Sequence, residues 1–164
     1  MSDSFNEFSK LVKHPVKFRM FLFYKLPAAF FSGVRIRAIV EGKCTTSVPY
    51  KWLTQNPFKS TYFASLAMAA ELSTGALGLA YIYKRKPSVS MLVVNMEATY
   101  FKKAIGRTYF TCEAGQQIRE AIEAAIATGE GKLIAAKTIG ANEAGEIVAE
   151  FLFTWSFKAK QTKT

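Results

Sequence analysis

Glu71 is the only Asp or Glu between Gly42 and Met96, and it lies in the run Ser60 to Tyr83, which is otherwise almost free of charge. Burying an unpaired carboxylate costs several kcal/mol, roughly, unless it is hydrogen-bonded or neutralised. A chain that keeps one in such a place has a use for it: activating water as a general base, or attacking an acyl carbon directly. The competing reading is a structural carboxylate satisfied by Ser73, Thr74 or nearby backbone. Few other groups offer chemistry. A single histidine, His14, and two distant cysteines, Cys44 and Cys112, supply neither a zinc ligand set nor a Ser/His or Cys/His pair. Neither a metal nor a cofactor is expected.

The start of the run around Glu71 has chemistry of its own. Ser60 or Thr61 is a suitable N-cap, and a helix N-terminus presents free N–H groups and partial positive charge. The backbone N–H groups of Phe63 and Ala64 could there stabilise the oxyanion of an acyl-transfer intermediate. The helix that follows, to Tyr83, is apolar nearly all round, so other elements must wrap it. Gly75 and Gly78 weaken it but permit close approach.

The surrounding elements follow from periodicity. Residues 4 to 31 read as one or two amphipathic helices broken at His14-Pro15, with Phe5, Phe8, Leu11 and Val12 on one face; His14 reads as a helix-end residue. From Val34 the period becomes two, and Glu41-Gly42-Lys43 turns the chain into a partner strand, Cys44 to Tyr50. Trp52 to Lys59 is a Pro-containing loop. After Lys86-Pro87 come four strand-like runs: 88–101, 107–113, 132–140 and 146–158. A helix from Gln116 to Thr128, with Ile118, Ile122 and Ile126 four apart, separates the second from the third. A strongly curved antiparallel sheet around one apolar helix is the compact arrangement of these pieces.

At 164 residues, half of them hydrophobic, the chain suffices for one domain. The net charge of +10 and pI near 9.7 favour an anionic partner: nucleic acid, a phosphorylated cofactor or acidic lipid. No zinc-finger spacing, RNP-like motif or recognition-helix pattern accompanies that charge, so no nucleic acid is expected. Phe18 to Phe31 is apolar but too short to span a bilayer; contact with a membrane surface stays open for it, although membrane contact is not expected. With no secretory signal visible at Met1 to Glu7, a cytoplasmic protein is the expectation.

From about Val34 to Lys158 this order of elements resembles the hotdog fold, and specifically the thioesterase-like hotdog family that includes the phenylacetate-pathway acyl-CoA thioesterases. The local pattern of that family is a loop asparagine, a His-Gly-Gly turn opening the central helix, and an acidic residue two turns into it. Here Asn56, then Tyr62-Phe63-Ala64, then Glu71 occupy those places with the spacing retained. The resemblance implies an α+β chain with a hotdog domain (32–160), to which the sequence adds an N-terminal helical extension (1–31) and an expected disordered tail (161–164). It implies hydrolysis of acyl-CoA or acyl-carrier thioesters, with Glu71 as base or nucleophile, Asn56 orienting water or carbonyl, and Tyr62 and Thr74 beside the substrate. Lys84, Arg85, Lys102, Lys103 and Arg107 are the candidates for CoA phosphates, and Phe63, Met68 and Tyr100 for the acyl channel. Because the asparagine loop and the acidic residue can come from opposite subunits in the resembling enzymes, a homodimer or homotetramer is implied. Tyr-Phe-Ala in place of His-Gly-Gly removes the small residues that admit a thioester carbonyl. The alternative is therefore a non-catalytic hotdog module that binds an acyl or lipid ligand.

Overall fold

The structure, a computed structural model, describes residues 3–160. The tail expected to be disordered, 161–164, lies outside the described residues. The helical lead is three helices, α1 (Asp3–Lys13), α2 (Pro15–Lys25) and α3 (Pro27–Ser32), because two prolines restart the chain: each begins a helix, where its missing N–H costs nothing. His14 caps α2, its Nδ1 accepting from the Lys17 N–H at 3.3 Å. Gly33, at φ 78°, ends α3 in the left-handed conformation that glycine adopts without strain.

The strands are β1 (Arg35–Val40), β2 (Lys43–Val48), β3 (Val89–Tyr100), β4 (Thr108–Cys112), β5 (Lys132–Ala141) and β6 (Ile147–Ala159). They form one antiparallel sheet in the order β1-β2-β4-β5-β6-β3. Register shifts at Ile36/Ala38, Val93/Asn95 and Gly140/Ala141 bend the strands that carry them, which lets the sheet curve. Cys44 and Cys112 stand directly opposite each other in the β2–β4 ladder, both as free thiols and both fully buried.

The long helix α4 (Phe63–Ile82) packs against β2, β4, β5 and β6 on one side and against α1 and α5 (Gly115–Thr128) on others. This is the hotdog arrangement. By length and composition α4 could cross a membrane, but 67% of its apolar window is buried inside the fold, and it serves as the core helix. Ala69, Ala70, Ala76 and Ala80 are fully buried, small side chains that bring the helix backbone close to its neighbours. The start of α4 differs from the sequence expectation. Neither Ser60 nor Thr61 caps it: the Ser60 hydroxyl donates to Asn56 Oδ1 at 3.2 Å and the Thr61 hydroxyl to the Ala104 carbonyl at 3.0 Å. Tyr62 is the N-cap residue and gives no side-chain cap. The hydroxyls that would suit a cap are instead spent on fastening the preceding loop, whose Gln55 bridges Thr61.

Candidate active site

Glu71 lies on the third turn of α4, half-buried, beneath the corner where α2 passes into α3. Two small cavities meet at its side chain. One of about 300 Å³ is lined by Phe21, Leu72, Gly75, Leu79, Met91 and Trp155. The other, of about 320 Å³, runs toward Met68 and Pro27 to Ala29. Lys25 and Leu26 border both.

Gly75, one turn on, is what makes room for the carboxyl. A Cβ there would stand 2.8 Å from Glu71 Oε1 and 3.2 Å from the Trp155 ring. Trp155 is held in turn by Thr74, whose hydroxyl accepts the indole N–H at 2.9 Å and donates to the Glu71 main-chain carbonyl at 3.0 Å. Thr74 is fully buried and fixes the wall behind the carboxylate rather than bonding the carboxylate itself. The Ser73 hydroxyl likewise turns away, to Ala70 O and Thr138. The carboxyl group has no hydrogen-bond or ion-pair partner among the described residues. Burial alone therefore acts on it, and pushes its pKa up to about 7. A carboxyl group poised there can accept a proton from water at neutral pH and return it.

A third, larger cavity, of about 510 Å³, opens at the N-terminus of α4. Asn56, Tyr62, Phe63, Tyr100, Lys102 and Lys103 are among its lining residues, so the structure gathers much of the expected substrate set at this end. Asn56 Oδ1 accepts from the N–H groups of Phe58 and Ser60 and from the Ser60 hydroxyl, which shapes the loop. The N–H groups of Phe63 and Ala64 belong to the first turn, and no backbone partner takes them up among the described residues. Tyr62 and Phe63 are about half exposed and their rings meet edge to face at 4.8 Å. Ala64 and Glu71 are two turns apart on one helix, roughly 10 Å along its axis. Asn56 lines this cavity, whereas Glu71 lines the two smaller ones.

The basic candidates divide in the same way. Lys84 and Arg85 lie past the far end of α4, roughly 30 Å from its start, where Lys84 pairs with Glu7 and Arg85 clasps Glu123 through both terminal nitrogens at 2.7 and 2.6 Å. Lys102 reaches Glu146 at 2.6 Å, and Lys103 donates to the Phe58 carbonyl at 3.4 Å. Arg107, half-buried just before β4, has no ion-pair partner among the described residues.

Residues 17–157 match the family model of a domain of unknown function, DUF4442. The chain belongs to the DUF4442 family. No curated protein matches it. Among solved structures, a Pseudomonas aeruginosa protein of unknown function, described as a probable thioesterase, is similar at 22% identity and TM-score 0.75, over 89% of this chain and 97% of that one. A Chlorobaculum tepidum protein of unknown function gives 15% identity and TM-score 0.78 over 94% and 96%. A thioesterase from Haemophilus influenzae gives 13% and 0.65 over 87% and 89%. At these identities the likeness establishes the shared hotdog fold.

In this DUF4442 chain three parts of the site escaped sequence reasoning: Gly75 as the seat of the carboxyl, Trp155 as its wall, and the α2–α3 corner as its roof. The first two left a signal. Gly75 is four residues from Glu71, hence directly adjacent on a helix. Trp155 is an indole N–H donor on an inward strand face, which must find an acceptor. The roof left none, since nothing local in residues 21 to 29 says which part of the domain they cover.

Proposed function

We infer that this protein hydrolyses acyl thioesters, of coenzyme A or of an acyl carrier, with Glu71 as the catalytic carboxylate. The observation that carries this reading is a carboxyl group without partners among the described residues, raised to about 7 by burial, at the junction of two apolar cavities. Glu71 takes a proton from water, the resulting hydroxide attacks the thioester carbonyl, and the thiolate leaves with that proton; direct attack by the carboxylate, with water resolving the anhydride, uses the same group. The free N–H groups of Phe63 and Ala64 receive the oxyanion, and Asn56 holds their loop. The fold shared with a protein named as a thioesterase supports the reading.

Because Asn56 and Glu71 open into separate cavities, the site is completed by a second copy, the helix start of one subunit facing Glu71 of the other. A dimer or tetramer is thus part of the proposal. The β3 edge opposite β6 carries no partner strand among the described residues, and Leu92, Val94 and Met96 are exposed along β3, as an inter-subunit contact would use. Lys103 and Arg107 are the cations freest to meet CoA phosphates, and the protein acts in the cytoplasm.

A second reading, an acyl- or lipid-binding module without turnover, is favoured by one observation: exposed Tyr62 and Phe63 rings at the helix start, where the resembling enzymes have histidine and glycine. A panel of acyl-CoA esters decides between them. Hydrolysis by wild type should fall about a hundredfold to ten-thousandfold in Glu71→Gln, and less in Asn56→Ala, since the backbone donors remain. Hydrolysis untouched by Glu71→Gln removes Glu71 from the mechanism. Tight acyl binding without turnover in any of the three establishes the binding module.

A further inference from the structure

Helix α2 is apolar on both of its sides. Phe18 and Leu22, one turn apart, are buried against the domain. The opposite side carries Val16, Met20, Phe23 and Tyr24 at i, i+4, i+7 and i+8, a single stripe of an α-helix, and these are 62, 42, 39 and 71% exposed. A helix that needed only to cover the domain would be polar there.

The stripe continues past the helix. The Phe23 ring meets the ring of Phe31, 54% exposed, at 6.1 Å. The Phe31 carbonyl accepts from Lys51 Nζ at 2.8 Å, which ties in the 3-10 turn Trp52–Thr54, whose Trp52 is 79% exposed. The exposed stripe of α2 thus adjoins Phe31, and the turn that carries exposed Trp52 is tied to Phe31.

The charge along this segment has one sign. Between Glu7 and Glu41 the chain has seven Lys and Arg and not one Asp or Glu. Lys13, Lys17 and Lys25 are exposed beside the stripe, and none has an ion-pair partner among the described residues. A symmetric contact with a second copy through this face would set these lysines against themselves, and residues 8–40 hold no carboxylate to answer them. An anionic bilayer suits both chemistries, because Trp and Tyr rings settle at headgroup depth while lysines meet lipid phosphates.

We propose that the outer stripe of α2, with Phe31 and Trp52, docks the protein on an anionic lipid bilayer. The inference is independent of thioester hydrolysis and takes up the membrane-surface contact that the sequence left open for 18–31 without expecting it. The sequence places the aromatics of 18–31 but does not say that half of them face outward.

The full chain should sediment with vesicles of phosphatidylcholine mixed with phosphatidylglycerol, far less with phosphatidylcholine alone, and release as salt rises. Trp52 emission should be quenched by brominated lipid, while that of buried Trp155 is not. The double variant Tyr24→Ser/Trp52→Ser should lower vesicle partitioning about tenfold or more, and Lys13→Glu/Lys17→Glu should abolish the preference for anionic vesicles. All four positions are exposed, so melting temperature and circular dichroism should match wild type. The proposal is overturned by any of three results: no sedimentation with mixed vesicles; sedimentation that both double variants leave intact; or a change of oligomeric state in the aromatic variant without vesicle binding, which would make the face a contact between copies. Stronger binding to single-stranded RNA that competes with vesicles would overturn it too.

Discussion

A carboxyl group that titrates near neutrality fixes two pH dependences at once. If Glu71 is the base, hydrolysis should rise as pH passes through about 7 and level off above it, and Glu71→Gln should lose that limb. Stability runs the other way. The folded-state value lies above the ordinary carboxylate value, so the folded protein holds this proton more tightly than the unfolded chain. That contribution is whole below the unfolded value and is lost as pH rises through about 7. Between pH 5 and 9 wild type should therefore lose up to about 3 kcal/mol relative to Glu71→Gln, at 1.36 kcal/mol per unit. Urea unfolding of both proteins at the two pH values measures it, and parallel curves would mean that the carboxyl is solvated. At this scale the sequence was informative, because a lone acid in an uncharged run stands out without any structure. What it hid was the partner: Thr74 was a candidate to bond the carboxylate, and its hydroxyl is instead taken by Trp155 and the Glu71 main chain.

Among the elements, α4 joins a packing role to a chemical one, and Gly75 is where they meet. Alanine is intrinsically better than glycine in a helix by about 1 kcal/mol. At Gly75 the added methyl would press on the far end of the Glu71 side chain, which can swing, and lightly on Trp155. Gly75→Ala should thus fold with a stability within about 1 kcal/mol of wild type while moving the carboxyl toward solvent. The activity limb near 7 should shift to lower pH, with reduced turnover; an unshifted profile would show that Gly75 does not set the burial of Glu71. Element types and order were legible from period and punctuation: alternation gave the strands, and Gly42 and Gly129 marked a turn and a helix end. The start of α4 was not, because a hydroxyl near a helix start can serve either the cap or the loop before it. Tertiary contact with Ala104 decided that at Thr61.

For the whole molecule, one copy leaves the β3 edge unpaired and the Asn56 and Glu71 cavities apart. Light scattering at micromolar concentration should report at least a dimer; a stable monomer that still hydrolyses thioesters would sink the shared-site proposal. This level was least legible in the sequence, since an association surface depends on which side chains the finished fold leaves outside. The thiol pair at the centre of the sheet permits a different measurement. Cys44 and Cys112 face each other across β2 and β4 with no exposure, and burial raises both thiols, Cys112 to about 11, so neither forms the reactive thiolate while the strands stay paired. An alkylating reagent should modify them only through separation of this ladder, and both together, since what uncovers one uncovers the other. Their labelling rate across a denaturant series then reads the opening free energy of the β2–β4 half of the sheet, apart from global unfolding.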